Sequence, residues 1–172
     1  FNRGMKPDDK VSMLVHPAVE KINHKAVFEK ITTLLNEWET KSQDKRDPCY
    51  KSLRNILYNA WKTYKDLTIP DIQDFEELED SILDAIKTCG KHIINGSHVL
   101  NDADKFYDFN IYVGGNMLGR GLTLNGLTIT YIIRTGKGIS SVDTVEQRAR
   151  WFGYKRKYID LCRVFADPKI LK

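Results

Sequence analysis

Several functional classes are excluded by what this 172-residue chain lacks. No apolar run reaches the ~18 residues that a membrane span needs, and no signal-like segment opens the chain. Neither membrane insertion nor secretion is therefore expected. Cysteine is scarce: Cys49, Cys89 and Cys162 stand far apart, with no C-x-x-C spacing and no paired histidines. They read as reduced structural thiols of a cytoplasmic protein, with no metal site. A phosphate-cradling P-loop, G-x-x-x-x-G-K-[ST], is also missing. The Gly-Lys pairs are Gly90-Lys91 and Gly136-Lys137, and neither is followed by Ser or Thr or preceded by the required glycine. There is no Asp-Glu box for magnesium. The one strand-associated D-x-K, Asp167-Pro168-Lys169, has only Asp160 as an upstream acid and reads as coincidence rather than as a metal-nuclease site.

What is present fits one domain, large enough to bury roughly 70% of the surface its unfolded form exposes. Lys and Arg number 27 against 23 Asp and Glu, a mild basic excess that permits nucleic-acid contact without requiring it. The chain opens on Phe1 rather than Met, which suggests a fragment of something longer. Its first ten residues, FNRGMKPDDK, are too charged to pack and are expected to be loose. Val11 to His16, VSMLVH, is a short apolar run stopped by Pro17, the pattern of a buried strand ending in a polar residue.

A helix follows, with Val27, Ile31, Leu34, Leu35 and Trp38 forming its apolar stripe. Asp47 and Pro48 supply an N-cap and first helical residue for a second helix, carrying Leu53, Ile56, Leu57, Ala60, Trp61 and Tyr64. A third starts at Asp74 with Glu77 in capping-box spacing, and carries Phe75, Leu78, Ile82, Ala85 and Ile86. Gly90 stands where a C′ residue would end it. The pair from about 47 to 90 reads as a helical insertion between the first two strands of an α/β core. It is either scaffolding or a wing that guides DNA or docks a partner, with Lys51, Arg54, Lys62 and Lys65 scattered along it. Strand signals resume at His92 to Asn95, in FNIYVGG, in LTITYIIR and in IDLCRVFAD, where Arg163 is exposed or paired. Strands alternating with helices predict a three-layer, largely parallel sheet.

Two stretches carry the chemistry. The first is IYVGGNMLGRGLTLNGL, Ile111 to Leu127, dense in glycine around Asn116, Arg120 and Thr123. Such a loop can present backbone N–H groups and a guanidinium to an anion, although a tight strand-to-helix turn would also use the glycines. The second is VEQRARWFGYKRKY, Val145 to Tyr158. At about 100° per residue, Gln147, Arg150 and Tyr154 share one helix face, and Val145, Ala149 and Phe152 the other. Trp151 and Tyr154 are open to either base stacking or packing, whereas Phe152 reads as core.

In this order the two stretches resemble motifs V and VI of the second RecA-like lobe of superfamily 2 helicases. More closely, GGNMLGRGLTLNGL, QRARWFGYK and DLCR resemble the hallmark strings of the endonuclease Z-one domain, a helicase-linked family of bacterial restriction and defence systems. The resemblance implies a RecA-like, P-loop NTPase-type fold and a single second lobe spanning 1–172. It implies half of a DNA-dependent ATPase: Arg150 as arginine finger with Gln147 beside it, and Gly115, Asn116, Arg120, Gly121 and Thr123 facing nucleotide. His16, Trp151, Tyr154, Lys155 and Arg156 would contact nucleic acid, although His16 also reads as an ordinary strand-end residue. ATP and Mg²⁺ would bind only together with an N-terminal RecA-like lobe outside this chain, so the isolated chain is expected to need no cofactor and to be inactive. Three departures bear on this. Thr123 stands where many relatives have Asp, Ala149 replaces a Gly, and Lys155 or Arg156 must substitute for a displaced second arginine. The other class of function is a non-catalytic module that keeps the fold and only grips DNA or docks subunits.

Overall fold

The computed structural model describes residues 10–17, 21–67, 71–94, 107–114, 124, 126–133 and 159–166, with side chains in the first helix described from His24 onward. Two compact units make up the chain, residues 30–88 and the remainder.

The larger unit is built on a five-stranded sheet, all of it parallel, in the order β2-β3-β1-β4-β5. The strands are β1 Val11–His16, β2 Gly90–Ile94, β3 Phe109–Gly114, β4 Leu127–Ile132 and β5 Arg163–Ala166. The first strand in the chain is thus the central one of the sheet. Its apolar run is continuous because it has strands on both sides and is covered on both faces: Leu14 and Val15 are buried, as is the terminal His16.

Register places Leu14 between Tyr112 of β3 and Thr130 of β4, and His92 of β2 beyond Tyr112. Register partners in a sheet project to the same face, so one face carries a mixed set of apolar and polar groups. On it Leu14, Ile94 and Tyr112 join Leu124 and Leu127 in a buried cluster. His92 stacks on Tyr112 with centroids 5.0 Å apart, and its Nε2 lies 3.0 Å from Asn110 Oδ1, whose amide donates to the Tyr107 carbonyl at 2.8 Å.

Two glycines permit this packing. The third helix ends at Thr88, close to Gly90 as the sequence suggests, but Gly90 begins β2 and has no positive φ. It is glycine because a Cβ would lie 2.7–2.8 Å from Tyr107, Asn110 and His92 side-chain atoms. Gly126, at φ 68°, turns the chain into β4 so closely over β1 that a Cβ would fall 1.4 Å from the Lys10 carbonyl oxygen. Its own carbonyl accepts the Ser12 amide at 2.7 Å.

The smaller unit takes the second half of α1 (Lys21–Lys41), with α2 (Pro48–Leu67) and α3 (Phe75–Thr88). Asp47 caps α2 by accepting the Cys49 amide at 2.7 Å. The buried stripe of α2 runs Tyr50, Leu53 and Leu57, with Trp61 and Tyr64 half-buried. Ile56 and Ala60 were expected in that stripe but lie exposed, because they sit about one residue-step around the helix from Leu57 and Trp61. Leu34 of α1 is likewise exposed while Leu35 is buried.

Between α2 and α3 runs a ladder of polar contacts. Lys45 reaches Asp80 at 2.6 Å, Arg54 reaches Glu79 at 2.8 Å and Glu76 at 3.1 Å, and Lys65 reaches Asp74 at 3.5 Å. The Tyr50 hydroxyl donates to Glu79, and the Arg54 guanidinium also lies 5.0 Å over the Phe75 ring.

Candidate functional site

In an open parallel sheet, ligands sit beyond the carboxyl ends of the strands, where neighbouring connections run in opposite directions. Chain order locates that point. From β1 the chain passes towards the β2 edge, and from β4 it passes the other way to β5. The switch point of the strand order therefore falls between β1 and β4. There the strand ends are His16 and Ile132, paired in register, with the Ile133 amide donating to the His16 carbonyl at 3.1 Å. On the other side of β1, β3 ends at Gly114.

His16 is completely buried. Its Nδ1 lies 3.1 Å from the Pro17 carbonyl, which can only accept, so Nδ1 carries the proton. In the neutral ring Nε2 is then an acceptor. The residue is held by its ring and its backbone at once. Two pairs back from these strand ends, Thr130 is also buried, and its hydroxyl has no hydrogen-bond partner among the described residues.

Of the site residues expected from the sequence, His16 lies among the described residues. Gly115, Asn116, Arg120, Gly121 and Thr123, and Gln147, Arg150, Trp151, Tyr154, Lys155 and Arg156, lie outside the described residues. Their points of attachment do not. The glycine-rich stretch leaves from Gly114 at the end of β3, and the Gln/Arg stretch lies in the connection that leaves β4 after Ile133. Both connections therefore begin at strands that flank β1 directly. Arg163, the arginine of DLCR, is half-buried and donates to the Asp160 and Cys162 carbonyls at 2.9 and 2.8 Å, which fixes a 3-10 turn, Ile159–Leu161, at the entry to β5. It is a structural arginine at the opposite end of the strand from the switch point.

Sequence reasoning missed the role of Gly126, although its signal was legible: Asn125-Gly126 directly precedes an apolar strand, a turn dipeptide before an extended run. The His92–Asn110 pair had no such signal, since the residues are eighteen apart and meet only through strand register.

Cys89 is half-buried, and burial pushes its thiol above the ordinary range, the reverse of what a reactive thiolate requires. Among the described residues no group of His, Cys, Asp and Glu is arranged to hold a metal ion, and no helix is long and apolar enough to cross a membrane. No curated protein and no solved structure matches the chain. Residues 2–172 match the Z1 domain, and the chain belongs to the Z1 domain family.

Proposed function

We propose that this chain is the second, RecA-like lobe of a DNA-dependent ATPase of the superfamily 2 helicase type, working in a bacterial restriction or defence system. In this reading it supplies an arginine finger and DNA contacts, and a first lobe elsewhere in the full protein supplies the P-loop and magnesium ligands.

One observation carries the reading. The glycine-rich stretch follows the carboxyl end of β3, the Gln/Arg stretch lies in the connection from β4 to β5, and β1, the strand between β3 and β4, ends in His16 where the chain order diverges. The connections that carry the candidate residues thus begin at the carboxyl edge of one parallel sheet. That is where a nucleotide-binding α/β protein assembles a site from loops on a rigid support. Arg150 would neutralise charge developing on the transferred phosphoryl, with Gln147 beside it. Asn116 and Arg120, with the Gly115 and Gly121 backbone and the Thr123 hydroxyl, would line the nucleotide side. Trp151, Tyr154, Lys155 and Arg156 would meet nucleic acid. A fully buried His16 cannot offer surface to a polyanion, so its part is to hold the end of β1 in place between the two motif-bearing connections.

The test is hydrolysis by the chain alone. Purified 1–172 should turn over no ATP above background, with or without DNA, because it lacks the phosphate cradle and the magnesium carboxylates. Robust turnover would overturn the half-site reading. DNA binding by a full protein that carries no P-loop would favour the non-catalytic gripping or docking module instead.

A further inference from the structure

The two compact units differ in charge. Residues 30–88 carry nine Lys and Arg against twelve Asp and Glu, a net charge of −3. The rest of the chain carries eighteen against eleven, a net charge of +7. The basic excess of the whole protein therefore comes entirely from the sheet unit.

Side-chain pairing removes still more cation from the helical unit. Lys45, Arg54, Lys65 and Lys87 are paired with Asp80, Glu79 and Glu76, Asp74 and Asp84, and Arg46 with Asp44. Lys30 and Lys41 on α1 and Lys51 and Lys62 on α2 have no carboxylate at ion-pair distance among the described residues, and Lys51 and Lys62 are exposed. On α3, Glu76, Glu77, Asp80 and Asp84 are exposed. A phosphate backbone gains affinity from each cation it can neutralise and loses it to every nearby anion. Four scattered lysines on an acidic body do not make a track for it.

We propose that nucleic-acid backbone contact is confined to the sheet unit, and that the helical unit takes no part in it. The proposal rests on the nucleic-acid part of the function proposed above. It also removes one of the roles open to α2 and α3: their lysines do not guide DNA.

The test compares two double substitutions in the same 1–172 chain, Lys51→Gln with Lys62→Gln, and Lys155→Gln with Arg156→Gln. Each lowers the net charge of the chain from +4 by the same two charges, so any effect of overall charge alone is common to both. Binding to a labelled DNA oligonucleotide is followed by anisotropy from about 50 to about 200 mM salt. The helical-unit pair should leave Kd within about twofold and the salt slope unchanged. The sheet-unit pair should weaken binding about fivefold or more and reduce the slope by about one to two. Should the second pair melt early, Lys137→Gln with Lys169→Gln repeats that arm. Equal effects of the two pairs, whether both large or both absent, would overturn the allocation. Failure of the unsubstituted chain to bind even at the lowest salt would remove the nucleic-acid reading and this proposal together.

Discussion

The sheet unit and the helical unit are held together by different physics. In the sheet unit, backbone ladders fix five strands in register, and the buried residues on the central strand are mostly apolar or small. Its critical positions are places where main chain meets main chain, such as Gly126 over Lys10. In the helical unit, two amphipathic helices with short buried stripes are joined by side-chain pairs, most of them half-exposed to solvent. The first kind of structure can hold strand ends within the tolerance that a site needs. The second gives way by degrees, because each exposed ion pair contributes little and is screened by salt. This is the physical reason for placing the site at the sheet edge.

The sharpest way to break this comparison is at Gly126. Alanine there combines an unfavourable positive φ with a Cβ driven into backbone, which no rotamer change can relieve. Gly126→Ala should cost about 3 kcal/mol or more, at the upper end of overpacking plus backbone strain. Gly90→Ala meets only side-chain atoms and should cost less, about 1–2 kcal/mol. Urea denaturation of the two variants measures both, and equal losses would mean that the backbone approach at Gly126 is not what matters.

In the helical unit the polar contact to test is that of Tyr50, which is buried and donates to Glu79. Tyr50→Phe should cost about 1–2 kcal/mol by leaving a shielded carboxylate short of a donor. The same bond has a pH signature. Burial first, and then the Glu79 carboxylate, push the Tyr50 phenol up to about 12. A raised folded-state value means that the protonated form stabilises the fold. The contribution should therefore be complete below about pH 10, the ordinary phenol value, and decline as pH rises through about 12. The stability gap between the parent and Tyr50→Phe should close over that range, and a gap independent of pH would show that the hydroxyl is not titrating in this contact.

Smaller effects mark the two ends of the comparison. Thr130 buries a hydroxyl without a partner among the described residues, so Thr130→Val should raise stability by about 0.5–1 kcal/mol. A loss instead would reveal a bond that the hydroxyl does make. Lys45 and Asp80 are both well exposed, although their hydrogen bond raises the one and lowers the other. Lys45→Ala should leave the melting temperature within the scatter of ordinary surface changes, and a clear drop would give the ladder more weight than exposed pairs carry.

The strands were legible because each is a short apolar run closed by a turn or polar residue, and all five stand where the pattern put them, to within a few residues at their ends. The helices were legible from their stripes, but the exposure of Leu34, Ile56 and Ala60 was not. Periodicity says which residues share a face, while neighbours decide how wide the buried part of that face is. Strand order was not readable either. That β1 lies at the centre follows from pairings between residues such as Ser12 and Leu127, far apart in the chain. Without that order, His16 is one more strand-end histidine. With it, His16 stands at the switch point between β1 and β4.

The central claim is that the sheet edge presents an arginine finger to a nucleotide held by another lobe, and Arg150 tests it most directly. An arginine finger contributes ~10³ to 10⁵ in rate. In the full protein, Arg150→Ala should abolish DNA-stimulated ATP hydrolysis while leaving DNA binding and the melting temperature nearly unchanged. Arg148→Ala, about 160° around the same helical spacing, should be mild. Equal losses from the two substitutions, or unfolding of the protein by Arg150→Ala, would contradict the account and make Arg150 a structural residue.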